Sequence, residues 1–199
     1  PASPFFHPRG ARIYNTLVDY VRGLYERYGY DEVITPQIFD TELWRTSGHY
    51  DHYRENMYFT EVDGREFAVK PMNCPSHCLL YSEGRHSYRD LPRRIADFGR
   101  LHRYELSGAT AGLTRVRTFC QDDAHIFCTP EQIREEVLGV VSMILETYEQ
   151  FGFDVRIFLS TRPEKRAGDD ALWDRTENAL RAALDASEHP YEIAEGDGA

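Results

Sequence analysis

The run from Arg94 to Cys128, RIADFGRLHRYELSGATAGLTRVRTFCQDDAHIFC, restricts the fold more tightly than any other part of this chain. It reads as two β-strands joined by a Gly-rich loop, with Ser107, Gly108 and Gly112 as turn residues between apolar and β-branched flanks. Side chains alternate along a strand. Taken as one extended strand, the second run sends Arg115, Arg117, Phe119, Gln121, Asp123 and His125 to one face. Val116, Thr118, Cys120, Ala124, Ile126 and Cys128 go to the other, which, Asp122 apart, suits a core. The partner strand puts Arg103 and Glu105 on a common face. Solvated antiparallel strands often carry charge outward, so a merely soluble surface is one reading of the row. The mixture of side chains favours another. Arginine pairs bidentately with phosphate oxygens and an aromatic ring stacks on a base, which suits an anionic nucleotide.

Composition narrows the class. The chain has 23 Lys and Arg against 33 Asp and Glu, a formal charge of −10, whereas a generic nucleic-acid binder presents a basic surface. Any nucleic-acid partner must be met locally. The 199 residues suffice for one domain with a sizeable core, or for a piece of a larger one. No apolar run approaches the roughly 18 residues of a membrane-spanning helix and no secretory pattern opens the chain, so a cytoplasmic location is expected. Cys74, Cys78, Cys120 and Cys128 are too sparse for a disulfide framework, which leaves metal binding or burial.

Local signals predict the remaining elements. Ile13, Leu17, Val18, Val21, Leu24 and Tyr25 recur at helical spacing over Ala11 to Arg27, with Gly29 as the stop. A short strand, Glu32 to Thr35, is checked by Pro36. Thr41 to Tyr53 begins helical and ends in a turn at Ser47-Gly48. Met57 to Thr60 and Glu66 to Lys70 form a hairpin around Asp63-Gly64. A short helix runs from Ser76 to Gly84. Thr129, Pro130 and Gln132 open a helix reaching Phe151 with a capping box. Phe153 to Ser160 is a strand, Asp170 to Ala186 a helix with Leu172, Leu180 and Leu184 inward, and Tyr191 to Ile193 a further strand.

Together PMNCPSH, RTSGHYDHY, FGRLHRYE with RVRTFCQDDAHIFC, and LSTRPEKR resemble the catalytic core of the threonyl-tRNA synthetases, a family of class II aminoacyl-tRNA synthetases. The resemblance covers essentially the whole chain. It implies an α+β fold, an antiparallel β-sheet flanked by helices, and a homodimer through the first helix and the strand near Pro36. The activity it implies is threonine activation by ATP, taken with Mg2+, to threonyl-adenylate, then transfer to tRNA(Thr). By the same resemblance Arg103 contacts the α-phosphate, Glu105 accepts from the adenine amino group, Arg115 meets the terminal phosphates and Phe119 stacks on adenine. Met72, Gln121 and Asp123 line the amino-acid pocket, and His49 lies near the terminal ribose as a candidate base in transfer. Cys74 and His125 match two of the family's three zinc ligands, while His77 offers a competing Cys-x-x-His pair with Cys74.

Zinc with three protein ligands keeps open positions. The resemblance implies that threonine fills them with its amino and hydroxyl groups. A site that requires a polar ligand rejects an isostere lacking it, here valine, by roughly 10⁴ or more, whereas serine lacks only a methyl group.

The chain departs from the family in three places. The loop SGATAGL has Ala111 where many relatives have histidine, which touches the tRNA acceptor contacts, and Ser76 replaces a common glycine. The larger departure is that the family continues beyond Ala199 into strands carrying the third zinc ligand and a further adenine-contacting arginine. The expectation is therefore a partial class II catalytic domain over residues 1–199, truncated before the C-terminal strands, without editing or anticodon-binding domains and with little or no aminoacylation of its own. A non-catalytic paralogue acting in binding or regulation is the alternative; the retained Arg103, Glu105, Arg115, Phe119, Gln121 and Asp123 argue against it.

Overall fold

Proline at the start and glycine just past the end delimit the first helix, α1 (Pro8–Tyr28). Gly29 takes the left-handed conformation (φ 72°) and its N–H caps the Tyr25 carbonyl. This computed structural model describes residues 2–166 and 168–198. The chain divides into two units, one ending at Ile126 and one starting at Phe127.

In the first unit α1 buries only Leu24 and Tyr25 at its C-terminal end, while Ile13 and Leu17 of the predicted stripe stay exposed. Strand β1 (Asp31–Glu32) pairs in parallel with β5 (Arg93–Asp97), and the Val33 N–H adds a bond to the Ala96 carbonyl before the chain turns away at Pro36. The predicted strand to Thr35 is thus shorter. Strands β2 (Ile38–Asp40), β3 (Tyr58–Val62) and β4 (Arg65–Val69) form an antiparallel sheet in the order β2-β4-β3. Asp63 (φ 52°) and Gly64 (φ 74°) supply the two positive φ angles of the β3–β4 turn, as a primed hairpin requires.

Helix α2 (Thr41–Thr46) is capped by Asp40, whose carboxylate accepts from the Glu42 N–H at 2.9 Å. Beyond the Ser47-Gly48 turn the chain re-enters a helix, α3 (His49–Tyr53), instead of ending in the turn as predicted. Trp44, Met57 and Ala68 are the buried centre against which Phe39, Leu43, Tyr50 and Phe59 pack. Helix α4 (Cys74–Ser82) starts two residues before the predicted Ser76.

The central run is four strands, not two: β5, β6 (Arg100–His102), β7 (Thr118–Cys120) and β8 (Asp123–Phe127). Breaks at Phe98-Gly99 and Gln121-Asp122 let β6 and β7 pair antiparallel, with Leu101 opposite Phe119, while β8 lies beside β5 in the sheet β1-β5-β8. The single row of side chains expected from Arg115 to His125 is therefore divided between two sheets. A strand that bends changes sheet, and alternation counted across the bend loses its meaning. The expected core face is only half-buried apart from Val116.

In the second unit the Thr129/Gln132 capping box forms, opening a short 3-10 turn that leads into α5 (Ile133–Gln150). Strand β9 (Ile157–Ser160), shorter than expected, pairs in parallel with β10 (Tyr191–Ala194), and α6 (Asp170–Ala186) connects them and packs on α5. Leu159, Ala183 and Leu184 are buried, but Leu172 is exposed, correcting its predicted inward position. It lies in the first turn of α6, where Asp169 caps the Leu172 N–H at 2.7 Å. Arg162 clamps the end of β9 to α6, its backbone N–H and side chain both donating to Glu177. Among the described residues no helix is long and apolar enough to cross a membrane.

Candidate active site

A cavity of about 530 Å³ opens beside β6 and β7, and its lining includes Arg103, Glu105, Arg115 and Phe119. These are the four residues that alternation and resemblance assigned to a nucleotide. They converge because the β6–β7 pairing runs one step past His102, the Arg103 N–H donating to the Arg117 carbonyl at 3.0 Å. The Arg103 guanidinium sits over the Phe119 ring, 5.1 Å from its centroid, and its Nε donates to the Pro71 carbonyl at 3.2 Å. That bond orients the guanidinium and leaves its terminal nitrogens for a ligand.

Glu105 is held from two sides. Arg115 Nε donates to its carboxylate at 2.9 Å, but the Arg115 side chain is 60% exposed, so this pair contributes at most about 1 kcal/mol and can yield to a ligand. Arg117 grips the Glu105 backbone instead, with Nε and Nη2 donating to its carbonyl at 2.9 and 2.7 Å. Strand alternation placed Arg117 in the ligand row; the structure makes it a backbone clamp stacked over Tyr104 at 5.2 Å.

Met72, Gln121, Asp123, Cys74 and His125 lie outside that lining. The buried Asn73 donates from Nδ2 to the Asp123 carboxylate at 3.0 Å, fixing β8 to the start of α4. Cys74 is the first residue of α4, where burial, reinforced by the Asp123 charge, pushes its thiol up. Burial pushes the His125 imidazole down, against the Asp123 carboxylate. His125 Nδ1 lies 2.8 Å from Nδ1 of the buried His77, with the rings perpendicular at 4.7 Å. This engagement removes His77 from the competing Cys-x-x-His pair, since its Nδ1 is committed to His125 and its Nε2 faces Asp97 at 3.8 Å.

Among the described residues no group of three or more His, Cys, Asp or Glu side chains is gathered for a metal ion. Gln121 is exposed at the bend between β7 and β8, its N–H bonded to the Gly99 carbonyl at 3.2 Å.

His49 begins α3 after Gly48, whose φ is 78°. Its Nδ1 is 2.8 Å from Ser47 Oγ and its Nε2 is 3.1 Å from Met72 Sδ, so two residues assigned separately are neighbours. Burial holds its pKa below the ordinary value, against the raising effect of Ser47.

Sequence reasoning missed Asn73, although it stands inside PMNCPSH, and gave no role to Lys70 or Asp97. These two are buried with 3.5 Å between Nζ and Oδ2. Each is a single charge at a strand end, and nothing local marks it as buried.

The fold agrees with the comparison to known proteins. Residues 58–188 match the tRNA synthetase class II core domain (G, H, P, S and T), and the chain belongs to that family. Within it, the similarity is to threonine-tRNA ligases. That of Bdellovibrio bacteriovorus is 58% identical over all of this chain, which spans 30% of the relative, and that of Thermotoga neapolitana is 55% identical, with 31% spanned. The solved RNA binding domain of threonyl-tRNA synthetase from Cryptosporidium parvum superposes with a TM-score of 0.95 at 52% identity, covering all of this chain and 50% of that one.

Proposed function

We propose that this chain is a partial class II catalytic domain that activates threonine with ATP and transfers it to tRNA(Thr) in the cytoplasm. Because it spans about 30% of its curated relatives' length, the complete reaction is assigned to the longer polypeptide, and the piece alone is expected to charge little or no tRNA. The observation that carries the reading is the meeting of Arg103, Glu105, Arg115 and Phe119 on one cavity. Arg103 neutralises the α-phosphate, where charge develops as the threonine carboxylate attacks and pyrophosphate leaves. Arg115 swings from Glu105 to the terminal phosphates of Mg2+-bound ATP. The released Glu105 accepts from the adenine amino group while Phe119 and the Arg103 plane enclose the base.

Met72, Gln121 and Asp123 bind the amino acid, with Asp123 taking its ammonium group. Cys74 and His125 are donors of the type zinc prefers, and His125 is already oriented by an outer imidazole, so both fit as two of the metal's ligands. When bound, the ion supplies Lewis-acid positions for the threonine amino and hydroxyl groups. His49, kept neutral by burial, accepts the proton in transfer to the tRNA ribose.

A homodimer forms over the apolar surface left open by Ile13 on α1 and by Ile34, which is 90% exposed. Ile34→Asp is expected to shift the chain to monomer in sedimentation; an unchanged dimer removes that face. For the activity, ATP-pyrophosphate exchange is measured with threonine, serine, valine and proline, zinc supplied, on this chain and on one extended to its relatives' length. Threonine-dependent exchange in the longer chain supports the reading. Exchange with proline in its place, or none in either chain, overturns it.

A further inference from the structure

A line of buried polar groups runs behind His125, and the catalytic reading leaves most of it unused. Asp97, on β5, accepts from Thr35 Oγ1 at 2.7 Å and lies 3.5 Å from Lys70 Nζ, which itself donates to Thr35 Oγ1 at 2.6 Å. On its other side the carboxylate meets His77 Nε2 at 3.8 Å, and His77 Nδ1 meets His125 Nδ1 at 2.8 Å. Thr35, Lys70, His77 and Asp97 are all buried, and His77 Nε2 makes no hydrogen bond, the carboxylate facing it at 3.8 Å.

Two Nδ1 atoms at 2.8 Å need one proton between them, and the carboxylate decides which ring carries it. Burial pushes the Asp97 carboxyl up, but His77, Thr35 and Lys70 together bring it below the usual range, so it is an anion. An imidazole lone pair turned toward a buried anion is repelled, whereas an N–H is attracted. His77 therefore holds its proton on Nε2 and offers Nδ1 as acceptor. His125 must then donate from Nδ1, which leaves its Nε2 with a bare lone pair.

From this geometry we infer that Asp97 and His77 are positioning residues that set the His125 tautomer and orientation, keeping Nε2 free to bind a Lewis acid. This rests on the assignment of His125 to the zinc site. The two are separable, because the tautomer can be read without metal.

The test uses the 199-residue chain labelled with ¹⁵N-histidine, metal-free, at about pH 8, where imidazoles are neutral. Long-range ¹H–¹⁵N spectra are expected to show His125 protonated on Nδ1 and His77 on Nε2. His125 protonated on Nε2 overturns the inference. Competition with a chromogenic chelator then measures zinc affinity on the chain extended to its relatives' length, where the third ligand is expected. His77→Phe, which keeps the volume and removes the acceptor, is expected to weaken zinc by about 10- to 100-fold. His77→Asn, whose amide oxygen can accept from Nδ1–H, should recover most of that loss. Unchanged affinity in His77→Phe also overturns the inference. If that variant fails to fold, the tautomer spectrum decides alone. If the 199-residue chain shows the expected tautomers but the chain extended to its relatives' length holds no zinc, the metal assignment falls and the orientation stands.

Discussion

Gly99 marks the break between β5 and β6, and its replacement by alanine tests how the two halves of the central run are separated. Its φ is not in the left-handed region, so alanine meets no backbone strain; the obstacle is Asn73. A Cβ at Gly99 would lie 2.5 Å from Asn73 Cγ and closer still to the amide oxygen and nitrogen. Asn73 is buried and short, so it can move only by giving up its bond to Asp123. Overpacking costs about 1 to 3 kcal/mol. A buried hydrogen bond left unmade costs about 1 to 3 kcal/mol more. Partial relaxation shared by the two gives an expected loss of about 3 kcal/mol, or roughly 6 to 12 °C in melting temperature for a chain of this size.

The assay is a double-mutant cycle by urea and thermal unfolding on Gly99→Ala, Asn73→Ala and the pair. Once Asn73 is alanine the new methyl has room, so the pair should be more stable than the sum of the single losses by about 1 to 3 kcal/mol. A Gly99→Ala loss below about 1 kcal/mol, or strict additivity, refutes the reasoning.

Asp97→Asn leaves Lys70 buried beside a neutral amide and should cost about 3 to 5 kcal/mol at neutral pH. Because the folded-state pKa of Asp97 is depressed, its contribution is present above about pH 4 and lost as pH falls through the folded value, so stability against pH should fall less steeply below pH 4 in the variant. Phe119→Ala should weaken ATP binding by about 5- to 100-fold through lost stacking, measured calorimetrically. Arg117→Ala, at a residue outside the cavity lining, should weaken it about tenfold by releasing the Glu105 backbone; no change there would return Arg117 to the solvated surface. In the longer polypeptide, His49→Ala should abolish transfer while adenylate formation persists. With its pKa lowered, the midpoint of the acid-side fall in transfer should lie below about pH 6.5, the ordinary imidazole value; a midpoint above it contradicts the buried, neutral imidazole.

What was legible in the sequence is what short-range forces decide. Gly29 stops α1, Asp63-Gly64 dictates a primed turn, and Thr129 with Gln132 caps the 3-10 turn that leads into α5. Each depends on the dihedral limits or hydrogen-bonding reach of a few neighbouring residues. The residues proposed for the nucleotide were brought to one face for a related reason: Arg103 extends the pairing of β6 with the strand that carries Phe119, and pairing preserves alternation. Alternation failed at Gln121, where the chain changes sheets, so Asp123 and His125, counted in the same row, took their expected roles from resemblance and their place from the tertiary structure. Asp97, Lys70 and His77 lie in three elements, on β5, just past β4 and within α4, and each alone resembles an ordinary surface group. Only packing takes them from water and forces them to satisfy one another, because a buried charge requires a partner wherever in the chain that partner lies.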